Sequence, residues 1–543
     1  MRQGCCYPLF LLALGSAGPG YADELPSIAD LEARGAIIGE VRLNRENVFD
    51  LSDPEENNWA YRLANRLHII TREDTIRKQL LIEQGEPLSK QRAEESERIL
   101  RRNKYLHDAD IRPTRVENGV VDLEVTTRDV WSLAPELSIS HSGSETRSRL
   151  GLEDSNLLGR GQMLRFLRDK DTDRTEKTVE FADNHVGRSW VSTLLRYSDN
   201  SDGDSFLVSV IRPFYELDAR WAAGGSFYGD DRRSPIYAFG EEAAEYRHAR
   251  DYASVFGGWS KGVRNGRVRR FTAGVIYDDN VFSPVPDPTL PALIPENRKL
   301  AYPYFGFELV EDDYVTATNR DQMSRTEDFQ MGLRVTASVG WSDRSFGADR
   351  DALIVSASSS RGFGSLQSTA LLLSASLSGR SESGEATNAL LSMNARYYRK
   401  QSEKWLFFAR ISGVAGHNLD LDNLIVVGGK TGLLGYPLRY QVGESRVVAS
   451  VEQRYFTDWY PFRLARVGAA VFANAGRVWG DNPLGPDNRG WLTDVGVGLR
   501  FALTRLTSKV VHLDVAFPLN GDDTIDDVQI PVSYTHLRAH ETT

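Results

Sequence analysis

From Trp131 onward the sequence repeats a pattern that few folds can absorb. Apolar and polar residues alternate with a period of two, in segments recurring about every twenty residues, with no helical stretch between them. Trp405, Phe407, Ala409 and Ile411 alternate with Leu406, Phe408, Arg410 and Ser412, and Val447, Ala449, Val451 and Tyr455 with Val448, Ser450, Glu452 and Arg454. Val495, Val497, Leu499 and Phe501 oppose Asp494, Gly496, Gly498 and Arg500, while Val511, Leu513, Val515 and Phe517 oppose His512, Asp514 and Ala516. Successive side chains of a strand point to opposite faces, so each segment has one apolar face and one small or charged face. With aromatic residues at the segment ends, this predicts a mainly β protein, a transmembrane antiparallel β-barrel of about sixteen strands, with a pattern count nearer twenty. A soluble sandwich or propeller is the alternative, but it does not call for charge kept on one face of so many strands.

No run reaches the ~18–20 apolar residues of a membrane-spanning helix. Sixty-five Lys plus Arg against 75 Asp plus Glu give a net charge of −10, which argues against nucleic acid as a partner. Residues 1–22 read as a secretory signal peptide. Arg2 precedes an apolar stretch from Cys5 to Leu14, helix breakers Gly15, Gly18, Pro19 and Gly20 follow, and cleavage is expected after Ala22. Both cysteines, Cys5 and Cys6, fall inside it, so the exported chain is expected to carry no thiol. Residues 532–543 (VSYTHLRAHETT) match the peptide encoded by a sequencing-library adapter and are expected to be foreign, the native chain ending near Pro531. Discounting His536 and His540, the remaining histidines show no ligand spacing, and neither a metal nor a cofactor is expected.

Residues 23–130 carry mixed signals and are expected to form a separate α/β domain, with 131–531 as the barrel. Ala36 to Phe49 reads as a strand and Trp59 to Leu67 as a short amphipathic helix. Thr71 with Asp74 reads as a capping box for a helix burying Ile76 and Leu80, and a second helix starts near Ser89. Ala109 to Val116, the turn Asn118-Gly119 and Val120 to Thr127 form a hairpin with Val121, Leu123 and Val125 on one face. The order is β-α-α-β-β with one extra helix. Within the barrel, Asn265-Gly266 reads as a two-residue turn and Ser283 to Pro295, with five prolines, as a long loop. Ser260 lies in a G-x-S-x-G match, but a strand-like run follows it where a nucleophile elbow requires a helix, so no enzyme is expected. Glu311-Asp312-Asp313 is either a solvated loop or a divalent-cation site near lipopolysaccharide.

A small β-α-α-β-β module ahead of a barrel that contains GGKTGLLGYPLRY (Gly428 to Tyr440) resembles the outer-membrane assembly-factor superfamily, the bacterial surface antigens. Segments Leu152 to Gln162, Ile211 to Trp221 and Val471 to Asp481 support the resemblance, which runs from about Ala36 to Ile530. It implies a periplasmic polypeptide-transport-associated (POTRA) module, a sixteen-stranded barrel in the outer membrane of a Gram-negative bacterium, and a role in inserting or translocating polypeptides. The implied partners are unfolded outer-membrane or secreted clients, lipid and lipopolysaccharide, and accessory periplasmic proteins. It further implies that clients are captured at a POTRA sheet edge and inserted at a seam between the first and last strands.

In the family, an in-folded loop carries an arginine that meets acidic groups on the lumen wall. The matching residues here are Leu433, Leu434, Gly435 and Tyr436, in a loop that also carries Gly432, with Leu434 at the arginine position and Asn474 at an acidic one. That paired loss leaves no unpaired charge, and either Arg439 with Glu452 or backbone contacts of Gly432 and Gly435 are expected to hold the loop instead. Pro135, in the expected first strand, marks either a weak seam or simply that strand's first turn. A passive porin or structural barrel is the competing function, for which a client-capture module would have no use.

Overall fold

The computed structural model describes residues 25–142, 145–171, 173–285, 290–429, 431–480, 482–483, 488, 490–506, 510–522 and 525–535. The expected signal peptide, with Cys5 and Cys6, and the tail from His536 onward lie outside these residues.

Ile38, Ile76, Leu100, Leu106, Val121, Leu123 and Val125 are all buried together and define the core of an N-terminal module. Its elements are α1 (Ile28–Ala33), β1 (Ile37–Glu46), α2 (Trp59–Leu67), α3 (Glu73–Arg77), α4 (Lys90–Arg101), β2 (Leu106–Glu117) and β3 (Val120–Asp129). The sheet order is β1-β3-β2, with β1 parallel and β2 antiparallel to the central strand. Asn118 and Gly119 close the hairpin with φ of 48° and 79°, the left-handed pair that a two-residue turn requires. Ser89 caps α4, accepting from Arg92 N–H at 3.4 Å. Two features differ from the sequence reading. A short helix, α1, capped by Ser27, precedes β1. Thr71 does not cap α3; its hydroxyl donates to Asp129 at 2.9 Å, and α3 starts at Glu73 with no side-chain cap. The extra helix α2 contributes nothing to the module core.

The remaining chain forms a closed antiparallel barrel of twenty strands among the described residues, the upper end of the expected range. Nineteen lie between Leu133 and Pro518, starting with β4 (Leu133–Ser142) and β5 (Glu145–Asp154), and the twentieth is Val532–Thr535. Two short hairpins, Tyr314–Ala317 with Glu327–Gln330 and Ile425–Val427 with Gln441–Gly443, stand apart from it. Phe166, Phe227, Val255, Val275, Val471 and Val497 are exposed on the outer surface and make it an apolar belt. The inner face carries paired charge, with Glu308 between Arg270 and Arg334 and Arg500 against Asp514. A buried charge is tolerable only with such a partner. Asn265 and Gly266 form the expected turn, with φ of 52° and 70°.

With the native chain read as ending near Pro531, too few residues follow Val528 for a spanning strand and closure is expected to be defective, yet the sheet is closed. Gln529 and Ala516 exchange both backbone hydrogen bonds at 2.9 Å, Asp514 N–H reaches Pro531 O at 3.2 Å, and Val532–Thr535 continues the ladder opposite Leu513 to Val510. A backbone ladder does not read side chains, so residues of any origin can complete it.

The module sits against the barrel end where β4 begins. Arg72 N–H and the Thr75 hydroxyl both donate to Gly159 O, at 3.0 and 2.9 Å. Lys78 reaches His185 O at 3.3 Å, Leu217 N–H donates to Glu95 at 2.9 Å, and Arg505 donates to Val48 O at 2.7 Å. Gly159 has φ +73°, and a Cβ there would stand 2.8 Å from Ile70 O, so the Leu152–Gln162 segment is shaped to receive the module.

Candidate functional site: the in-folded loop, the seam and the module edge

The loop Gly428–Tyr440 leaves the barrel end opposite the module and turns inward. Gly428 and Gly432, with φ of 133° and 109°, supply the turns. Leu433, Tyr436 and Tyr440 are fully buried with Val427, Val448, Val478 and Leu492. The Tyr436 hydroxyl lies 2.8 Å from the carbonyl oxygens of both Thr493 and Asn520 and accepts from Thr493 N–H at 3.0 Å. Tyr440 donates to Asp522 at 2.9 Å. A Cβ at Gly435 would lie 2.7 Å from Asp494 Cβ, so the loop passes against the wall where only glycine fits.

Arg439 does not meet Glu452. Its guanidinium forms a two-bond pair with Asp173, at 2.8 and 3.0 Å, and lies over the Tyr237 ring at 4.3 Å. Glu452 instead accepts from Arg454 at 2.8 Å. The reason is distance along the strand. Glu452 stands seven residues beyond Ser445, where the strand Ser445–Phe456 leaves the loop, and at ~3.4 Å per residue that is roughly 24 Å down the wall. Asp173 lies in the turn after Gln162–Lys170, level with the loop.

Leu434 is half-buried and Asn474 buried, and, as their chemistry requires, they make no ion pair. The wall beside the loop nevertheless holds a carboxylate. Asp494, fully buried and paired in register with Asn474, accepts from the Asn474 amide at 2.7 Å and from Gly435 N–H. Its second oxygen has no hydrogen-bond partner. The acidic group is therefore one strand further on than the sequence reading placed it. The alternation flagged Asp494 as inward-facing, but nothing in the sequence placed it beside Gly435.

At the seam, Val532–Thr535 stands between Val510–Pro518 and β4. Ser155 N–H donates to Ser132 O at 3.0 Å, and Pro135 pairs with Leu152 in the same register. Bonding alternates along an antiparallel pair, so Ser132, Ala134 and Glu136 bond β5 while Leu133, Pro135 and Leu137 turn their backbone polar groups to the seam. Trp131 N–H, which donates to Arg505 O at 2.8 Å on that side, agrees. The donor that proline lacks is thus missing from the seam edge.

The free edge of β2 in the module is covered by side chains of α4. Arg101 donates to Ala109 O at 2.8 Å, Ile111 N–H donates to Glu97 at 2.8 Å, and Pro113 offers no donor. Arg101 also pairs with Asp328 of the hairpin between Tyr314 and Gln330. That hairpin's loop spans the barrel mouth: Asp321 accepts from Arg396 and Tyr398 at 2.8 and 2.7 Å, and Met323 packs with Ala502 and Val510. Ser260 lies inside the strand Glu241–Arg264 and donates to Arg269 O at 3.0 Å. Glu311 sits at the module end, accepting from Arg267 and Leu333 N–H, on the opposite side from the in-folded loop.

No protein-family profile matches the chain, and no curated protein matches it. Among solved structures, CdiB from Escherichia coli is 14% identical, over 92% of this chain and 76% of that one, with a TM-score of 0.47. CdiB from Acinetobacter baumannii is 11% identical over 92% and 73%, with a TM-score of 0.45. BamA from Haemophilus ducreyi lacking POTRA domains 1–3 is 13% identical over 92% and 84%, at 0.38. These are distant similarities of barrel architecture, and the functional reading rests on the chain's own geometry.

Proposed function

We propose that the chain is an outer-membrane assembly or translocation factor and not an enzyme, with its module in the periplasm. Unfolded polypeptides are its clients, lipid and lipopolysaccharide surround its belt, and accessory periplasmic proteins deliver to its module. The observation that carries this reading is the seam, where Pro135 withholds a backbone donor from the edge that β4 turns toward the last strand. A seam short of hydrogen bonds is the place where a barrel wall can part and offer its edge to a client strand. Clients reach it by pairing with the β2 edge once Glu97 and Arg101 release it. A passive porin is disfavoured because Gly428–Tyr440 fills one mouth, and the loop around Asp321 with the module obstructs the other.

The test is to lock the seam. Cysteine pairs placed between Leu133–Leu137 and Gln529–Val532, in protein reconstituted into liposomes, should block folding of an added unfolded barrel client when oxidised and restore it when reduced. Full client folding by an oxidised, cross-linked barrel would end the proposal.

A further inference from the structure

The helix α2 is an insertion that the module does not need, and its most exposed face has no protein against it among the described residues. At ~100° per residue, Trp59, Leu63 and Leu67 follow one another within an arc of about 80°, and Arg62 and Arg66 flank them on one side. Trp59 is 75% exposed, Leu63 and Leu67 are exposed too, and neither guanidinium meets a carboxylate among the described residues. The opposite face is fastened. Tyr61 stacks on Phe49 at 4.1 Å between ring centres and donates its hydroxyl to Phe462 O, while Asn65 exchanges hydrogen bonds with the Phe49 backbone at 2.8 and 3.0 Å. Arg463 pairs with Glu55 just ahead of the helix. The barrel turn that receives α2 is itself apolar and open, with Phe462 80% exposed and Trp459 and Leu464 exposed beside it, continuous with the barrel's outer belt.

We infer that α2 is an interfacial anchor that lies in the lipid leaflet on the module side, seating Trp59, Leu63 and Leu67 among acyl chains and Arg62 and Arg66 against anionic phospholipid headgroups. Two observations select lipid as the occupant: the barrel turn that holds the helix is apolar and opens onto the lipid-facing belt, and the only charges on the helix are cations. The inference rests on the barrel being membrane-embedded, so its test carries a control for that reading.

The only cysteines of the chain are Cys5 and Cys6, so single nitroxide labels can be placed on the processed protein. Leu63→Cys, Val255→Cys on the belt and Glu117→Cys at the exposed module hairpin are labelled in vesicles of phosphatidylethanolamine and phosphatidylglycerol. Accessibility to oxygen is compared with that to a water-soluble nickel chelate. The label at 63 should resemble the one at 255 and differ from the one at 117. Arg62→Glu with Arg66→Glu should raise nickel access at 63 severalfold. Nickel access at 63 equal to that at 117, with 255 still protected, overturns the anchor and leaves the face to a protein partner. Nickel access at 255 as well overturns the membrane-embedded barrel on which it rests. Leu67→Cys gives the same reading should Leu63→Cys fail to yield folded, heat-modifiable protein.

Discussion

Arg101 and Asp328 meet in a two-bond ion pair, Nε to Oδ2 at 2.9 Å and Nη2 to Oδ1 at 2.7 Å, that ties the long helix of the module to the hairpin crossing the barrel mouth. The same guanidinium donates through Nη1 to Ala109 O, so one side chain both covers the β2 edge and holds the hairpin. Losing one member of a buried pair costs about 3–5 kcal/mol. Arg101→Ala should therefore speed amide exchange both at Ile111 and along Glu327–Gln330, whereas Asp328→Asn should speed it at the hairpin alone. Unchanged exchange at Ile111 in Arg101→Ala would show that the edge is held by Glu97 without it.

The pair Arg439–Asp173 predicts how the in-folded loop responds to substitution. The arginine side chain is 41% exposed, so a charge-assisted pair in this partly wet site contributes about 1–2 kcal/mol, at the low end for such bonds. Arg439→Ala and Asp173→Asn should each raise single-channel conductance and protease access to Gly428–Tyr440. Glu452→Gln should leave both unchanged, because its partner Arg454 lies far down the wall. Equal effects of all three would mean that conductance reports general loosening of the barrel.

What could be read from the sequence was local. Asn118-Gly119 and Asn265-Gly266 announced their turns because each needs two residues at positive φ, and the alternation sorted Arg500, Asp514 and Asp494 inward. What could not be read depends on chain segments that meet only after folding. Thr71 looks like a helix cap, but its hydroxyl is taken by Asp129 from a strand far along the chain. Arg439 finds Asp173, 266 positions away, because both sit at the same end of the barrel, a level set by strand lengths and register. The hairpin behind the acidic run Glu311–Asp313 was hidden for the same reason, since two four-residue strands give too short an alternation to register.

Asp494 reverses the expectation for an arginine at position 434. With Leu434 and Asn474 taken alone, Leu434→Arg adds an unpaired charge, but Asp494 is buried beside Gly435, the next residue, with one oxygen that has no hydrogen-bond partner and can accept from an arginine. Leu434→Arg should be neutral or stabilising by about 1–3 kcal/mol, the range for a hydrogen bond to a charged group. Leu434→Arg with Asp494→Asn should lose that gain. Thermal loss of heat-modifiable barrel in gels reads the difference, and a single variant less stable than the double would refute the pairing.

Glu95 sets a pH dependence in the contact between module and barrel. Its carboxyl is buried on α4, and burial pushes it up to about 7, against the pull of the nearby Arg98 and the Leu217 N–H bond. The folded protein therefore keeps a proton that the unfolded chain gives up near 4.5, so stability falls as pH rises from about 4.5 to about 7, by about 3 kcal/mol. His107, which burial holds near 4, acts in the opposite sense, its contribution being lost as pH falls from its ordinary 6.5. A whole-protein titration blends the two, and a substitution separates them. Glu95→Gln keeps an acceptor for Leu217 N–H and cannot ionise, so it should stabilise the module against urea at about pH 8 and do nothing near pH 4. An equal gain at both pH values would mean that glutamine improves packing and that ionisation of Glu95 plays no part.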